Sequence, residues 1–76
     1  MEKEFKQDIE RDALMLGAFL DAGSPGVLVV AMMHPEFAGG PDTLLAYGRW
    51  MTRQTPDYRQ QVVDKMKAMA KPGAFD

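Results

Sequence analysis

Val27-Leu28-Val29-Val30-Ala31-Met32-Met33 runs unbroken by any polar residue, between Ser24-Pro25-Gly26 and His34-Pro35. A segment with no solvent face must be covered on every side or it adheres to something. Ser24 reads as an N-cap and Pro25 as a first helical residue, which predicts a central apolar helix over about 25–33. The valines and the short length also suit a buried strand. No second strand candidate exists in the chain, so a strand would have to pair across a dimer. The helix is the preferred expectation.

On the N-terminal side, residues 3–22 read as an amphipathic helix. Phe5, Ile9, Ala13, Leu16 and Leu20 recur at helical spacing, with Phe19 beside them. The opposite face carries Lys3, Lys6, Gln7, Glu10, Arg11 and Asp21, and Glu2 and Glu4 suit the positive end of the helix dipole. Gly23 is a stop signal. On the C-terminal side, residues 34–41 hold two prolines and two glycines and form a connector. Within it Pro35-Glu36-Phe37 is expected to make a single turn with Phe37 inward. A third helix is predicted from about 42 to 54, with Leu44, Leu45, Gly48 and Met51 inside, Tyr47 at the edge and Trp50 partly exposed. Thr55-Pro56-Asp57 is a cap, a first-position proline and a first-turn acid. It opens a fourth helix to about Ala70, with Tyr58, Val62, Met66 and Met69 on its apolar side and Val63 and Ala70 widening it. Lys65, Lys67 and Lys71 lie near its negative end, and Pro72-Gly73 ends it.

The expected fold is therefore all-α: one domain over 1–76, a small compact bundle of three to four short helices. With 76 residues, such a domain buries only about 60% of its unfolded surface and has a thin stability margin. The chain has no cysteine and a single histidine, so disulfide staples and thiolate metal sites are excluded and a His-based metal site would need carboxylates or a second chain. Oligomerisation is the remaining way to add stability. A homodimer is expected, with Val27, Val30, Met33 and Phe37 as core or dimer residues. Gly17 and Gly48 are expected to permit close helix approach, one of them facing helix two or a twofold axis. The apolar run is shorter than the roughly 20 residues that span a bilayer, and no secretory pattern opens the chain. A soluble cytoplasmic protein without membrane contact is expected.

Charge divides the chain. Residues 1–22 hold six acids and three bases, residues 43–71 six bases and two acids, while the whole chain carries −2. The plain expectation is acidic helix one beside basic helix four, within a protomer or across a dimer. Arg49, Trp50, Arg53, Tyr58 and Arg59 are residue types enriched at interface hot spots and form the expected partner-binding set. The same half also reads as a helix-turn-helix, helices about 42–54 and 56–70, though a net acidic chain attracts phosphate weakly.

No catalytic set can be assembled. His34 with Glu36 fits a capping imidazole better than a metal or acid–base pair. Glu4, Asp8 and Asp12 form a ladder best read as a solvated acidic face. Gly39-Gly40-Pro41 lacks the Lys-Ser/Thr of a phosphate loop, and Ser24 lacks an activating base. The six internal methionines would line either a core or a soft groove for a partner helix. The expected function is a non-enzymatic protein–protein interaction module, an adaptor or inhibitor that occupies a partner's surface without metal or cofactor. Small accessory proteins of phage or mobile elements are an analogy for it. A DNA-binding regulator is the alternative.

Overall fold

The structure, a computed structural model, describes residues 4–70. Four helices follow one another: α1 (Ile9–Ala22), α2 (Ser24–Met32), α3 (Pro41–Thr52) and α4 (Pro56–Met69), with a 3-10 turn at Pro35–Phe37 between α2 and α3. There is no strand among the described residues, so the apolar run is helical. The expectations placed on Glu2, Lys3, Lys71 and Pro72-Gly73 lie outside the described residues.

The joints between helices are short and chemically specific. Gly23, at φ 72°, ends α1 by donating its N–H to the Phe19 carbonyl at 2.9 Å. Its own carbonyl accepts from the Val27 N–H at 3.2 Å and so starts α2. Ser24, expected as the cap, is instead inside the helix, because one residue must both close a helix and open the next. Glycine takes the required left-handed conformation without a Cβ clash. Gly40, at φ 79°, opens α3. At α4 the expected cap holds: the Thr55 hydroxyl accepts from the Tyr58 N–H at 3.2 Å, ahead of Pro56. Helix α1 starts later than the periodicity suggested. The Asp8 carboxylate caps it by accepting from the Arg11 N–H at 3.1 Å. Phe5 therefore reaches the core from the irregular segment before α1 and not from a helical stripe.

Helix α1 packs against both α2 and α4. Gly26 makes the α1–α2 approach possible: a Cβ there would lie 2.7 Å from the Ala22 Cβ and 2.8 Å from the Ala18 carbonyl oxygen. Gly17 faces α4, where a Cβ would meet the Met66 Cγ at 3.5 Å, and Gly48 has no neighbour within 4 Å. One of these two glycines was expected to face α2 or a twofold axis; neither faces α2, and the smallest residue of α2 itself provides the close contact.

The centre of the molecule is aromatic. Phe5, Phe37, Tyr47, Trp50 and Tyr58 are buried together with Met15, Ala31, Ala46 and Val62. Phe5 stacks on Phe37 at 5.4 Å and meets Tyr47 edge-on at 5.3 Å, while Tyr47 stacks on Trp50 at 5.8 Å. Each such ring removes about 150–250 Å² from water, more than a leucine can. This sets the rotation of α3. Thr43, Ala46, Tyr47 and Trp50 face inward, while Leu44 and Met51 are half-buried and Leu45 and Gly48 are exposed. The expected inner stripe of Leu44, Leu45, Gly48 and Met51 is displaced, and Trp50, expected to be partly exposed, is 3% exposed.

The same filling moves the apolar run off centre. Only Ala31 of α2 is buried, with Val27 and Val30 half-buried against the core. Leu28, Val29, Met32 and Met33 face outward, the two methionines at 87% and 75% exposure. Helix α2 is thus a peripheral helix and not the enclosed one expected, and Met33 is not a core residue. Phe37 is buried as expected, in its single 3-10 turn. On α1, Phe19 and Leu20 are exposed while Arg11, assigned to the polar face, is buried. On α4, Tyr58, Val62 and Met66 are buried as expected, and Met69 is exposed.

Two of the helical glycines, Gly26 and Gly48, carry opposite expectations on substitution. Gly48→Ala, meeting nothing, gains the helix propensity of about 1 kcal/mol. Gly26→Ala offers the same propensity but overpacks the α1 crossing, at a cost of about 1–3 kcal/mol. Urea denaturation is expected to place Gly48→Ala above the wild-type midpoint and Gly26→Ala below it.

Candidate interaction site

Two features of the structure bear on function: a buried polar knot and an open apolar cleft above it. The knot begins in the first turn of α1. Asp12 is 1% exposed. Its Oδ1 accepts from the Tyr47 hydroxyl at 2.6 Å and from Arg11 Nε and Nη2 at 3.0 and 2.9 Å; its Oδ2 accepts from the Tyr58 hydroxyl. Arg11 also donates through Nη2 to the Lys6 carbonyl at 2.8 Å and through Nη1 to Glu36 Oε1 at 3.3 Å. Its guanidinium lies 5.6 Å from the ring centres of Tyr47 and Trp50 and 5.8 Å from that of Phe5. No buried side-chain nitrogen or oxygen among the described residues lacks a partner. The knot is fully satisfied, which is the condition under which a buried charge pair is tolerated.

The electrostatics follow from that geometry. Burial pushes the Arg11 guanidinium toward its neutral form, but hydrogen bonding and attraction to Asp12 outweigh it, so the net displacement is upward. Burial, then donation to Asp12, drives both tyrosine hydroxyls well above the usual phenol range. Glu36 lies below the usual carboxylate range, chiefly through a hydrogen bond from its own backbone, against burial and with help from Arg11. The His34 imidazole lies 3.8 Å from the Glu36 carboxylate and edge-on to Phe37. No group of three or more potential metal-ligating side chains converges among the described residues. The expected solvated ladder of Glu4, Asp8 and Asp12 does not form. Asp8 caps α1, Asp12 is buried, and Glu4 pairs with Arg53 at 3.2 Å.

The cleft has a volume of about 830 Å³. Met15, Leu16 and Phe19 of α1, Val27 and Leu28 of α2, Leu44, Leu45 and Met51 of α3, and Val62 and Val63 of α4 supply its apolar walls. Asp12 and Tyr47 also line it, with their polar atoms engaged in the knot, and Gly48 leaves one wall bare. Arg59 lines the α4 side and is exposed. This is the composition of a ligand or helix groove: a large apolar surface with few polar groups.

The expected partner-binding residues divide. Arg49 and Arg59 are exposed, and Arg59 lines the cleft. Arg53 is exposed and pairs with Glu4. Trp50 and Tyr58 are core residues, so the exposed Arg-Trp-Arg surface is not formed. Their rings are more valuable inside, where Tyr58 also satisfies Asp12. The cleft residues Phe19, Leu28 and Leu45 were not among the expected site residues; their helical positions were read as core. Buried Arg11 and Asp12 were missed because adjacent opposite charges ordinarily read as surface. The usable signal was the Tyr47–Trp50 spacing on one face of α3, which demands a polar partner for a buried hydroxyl. No protein-family model, curated protein or solved structure matches this chain. Among the described residues, no helix is long and apolar enough to cross a membrane.

Removing the centre of the knot leaves Arg11 buried without its counter-charge. Asp12→Asn is expected to lose about 3–5 kcal/mol, out of a total on the order of 4–11 kcal/mol for this chain length. Tyr58→Phe should lose less, about 1–3 kcal/mol. The order of the two urea midpoints checks this. The tyrosines give a pH test. Their folded values lie above the unfolded value near 10. Their contribution is thus fully present below about pH 10 and is lost as pH rises toward the folded values. The chain has only two tyrosines. Tyrosinate absorbance in an alkaline titration is therefore expected to appear together with loss of helical circular dichroism and not before it.

Proposed function

We propose that the protein is a non-enzymatic interaction module that receives an amphipathic helix of a partner protein in the cleft between α1, α2, α3 and α4. The observation that carries this reading is the open apolar cleft itself, bordered by the exposed Arg59. A helix with anchors at i, i+3/i+4 and i+7 presents one continuous apolar face to such a lining. The cationic rim selects for a helix that carries a carboxylate beside its apolar anchors. Phe19, Leu45 and Met51 give a deformable lining that can adjust to the anchor shapes.

Leu45 is 60% exposed, so Leu45→Glu blocks the cleft without removing core packing. Affinity capture from the native host, using wild type, Leu45→Glu and Arg59→Glu, should isolate a protein that wild type retains and both variants lose. Its purified helical segment should then bind wild type, with each variant weakening binding by at least about tenfold, or 1.4 kcal/mol. Retention insensitive to both variants would refute the cleft as the site. A gel shift on mixed DNA abolished by Arg59→Glu would replace this reading with the helix-turn-helix one.

A further inference from the structure

We infer that the outward stripe of α2 is a homodimer interface, in which α2 of one copy packs against α2 of a second copy across a twofold axis. Leu28, Val29, Met32 and Met33 stand on the outer side of α2 at spacings of three to five residues, the pattern by which one helix packs along another. Their inner neighbours Gly26, Val27, Val30 and Ala31 face α1 and the core, so both sides of the helix are apolar. A helix that is apolar all round is a buried helix. Here the chain covers one side only.

Area favours a whole interface over a chance patch. Leu28, Val29, Met32 and Met33, with Phe19 and Leu20 at the end of α1, expose 46–87% of their surface. Together they offer apolar surface on the order of 700 Å² per copy, against roughly 800 Å² per partner in a stable complex. The largest apolar patch on an ordinary monomer is about 300–600 Å². Charge identifies the occupant. From Gly23 to Met33 there is no charged residue. A twofold interface brings the residues at its axis toward their own copies, so a charge there would meet a like charge. A stretch with none is self-complementary. A charged partner helix, as proposed for the cleft, would find nothing here to pair with.

Val29, Met32 and Met33 lie outside the cleft, while Phe19 and Leu28 border both surfaces, so the two meet along one edge. Dimerisation through α2 leaves the Leu45 and Arg59 walls open and places two clefts on one particle. Each copy then covers the other's Met32 and Met33, the two most exposed of the large apolar residues described.

Sedimentation velocity from micromolar to sub-millimolar concentration is expected to show a wild-type dimer. The double variant Val29→Glu/Met32→Glu should sediment as a monomer with unchanged helical circular dichroism, because both positions are more than 60% exposed. The cysteine-free sequence permits a test that needs no destabilised variant. Single Val29→Cys should form a covalent dimer on mild oxidation, and Gln61→Cys, exposed on α4, should not. Leu45→Glu should remain dimeric, which separates this interface from the cleft. A wild-type monomer throughout, a dimeric double variant, or equal cross-linking of the Val29→Cys and Gln61→Cys variants would overturn the inference.

Discussion

The carboxylate of Asp12 constrains everything around it. A carboxylate taken out of water must find hydrogen bonds for its lone pairs and a counter-charge, or it neutralises. Asp12 finds both in Arg11, Tyr47 and Tyr58, drawn from three helices. Those donors fix the relative rotation of α1, α3 and α4 in a way that apolar packing does not, since apolar contact tolerates a slide of one residue or a small turn. Net stabilisation from such a knot is modest, because desolvation offsets most of the attraction. Its effect is on uniqueness: the alternatives strand a buried charge.

The aromatic core follows from the knot. With Tyr47 and Tyr58 held by their hydroxyls, their rings and that of Trp50 occupy the middle of the molecule, and Phe5 and Phe37, stacked on each other, both pack against Tyr47. The Arg11 guanidinium sits among three of these rings, which exchange part of its lost hydration for attraction to their faces. The surface pair Glu4–Arg53 contributes far less. Both partners are exposed, and water screens them. The opposing charges of the two halves of the chain thus accompany the packing of α1 on α4, while apolar contacts such as Gly17 to Met66 set its distance.

Much of this fold was legible in the sequence, and the errors share a cause. Helix identities, the Gly23 stop, the Thr55 cap and the inward turn at Phe37 are local, and local chemistry dictates them. The face that each helix turns inward is not local. Periodicity on α3 offers two stripes, Leu44-Leu45-Gly48-Met51 and Thr43-Ala46-Tyr47-Trp50, and choosing between them requires knowing that a buried acceptor awaits Tyr47. Periodicity on α1 places Arg11 and Asp12 outside, because nothing in a helix wheel announces a charge pair satisfied from other helices. The role of the apolar run was misread for the same reason: the bulk that fills the centre comes from five aromatic rings dispersed along the chain. The candidate site was less legible still, since it is bounded by what the core leaves uncovered.

That residue of uncovered surface is a consequence of the knot and not of poor packing. A core organised around one buried carboxylate is anchored on the helices that supply its donors, here α1, α3 and α4. Helix α2 contributes none: from Ser24 to Met32 its one side-chain hydroxyl, Ser24, stands at the exposed end. It therefore docks on the outside of α1, with Gly26 permitting the close approach and Val27, Val30 and Ala31 turned to the core. Its remaining apolar face, and the cleft beside it, are left at the surface of the described residues. In a larger domain a fifth helix would cover both. The hydrophobic effect that would drive such a helix into place is then available to association between molecules, on which the proposed cleft and dimer surfaces both rest.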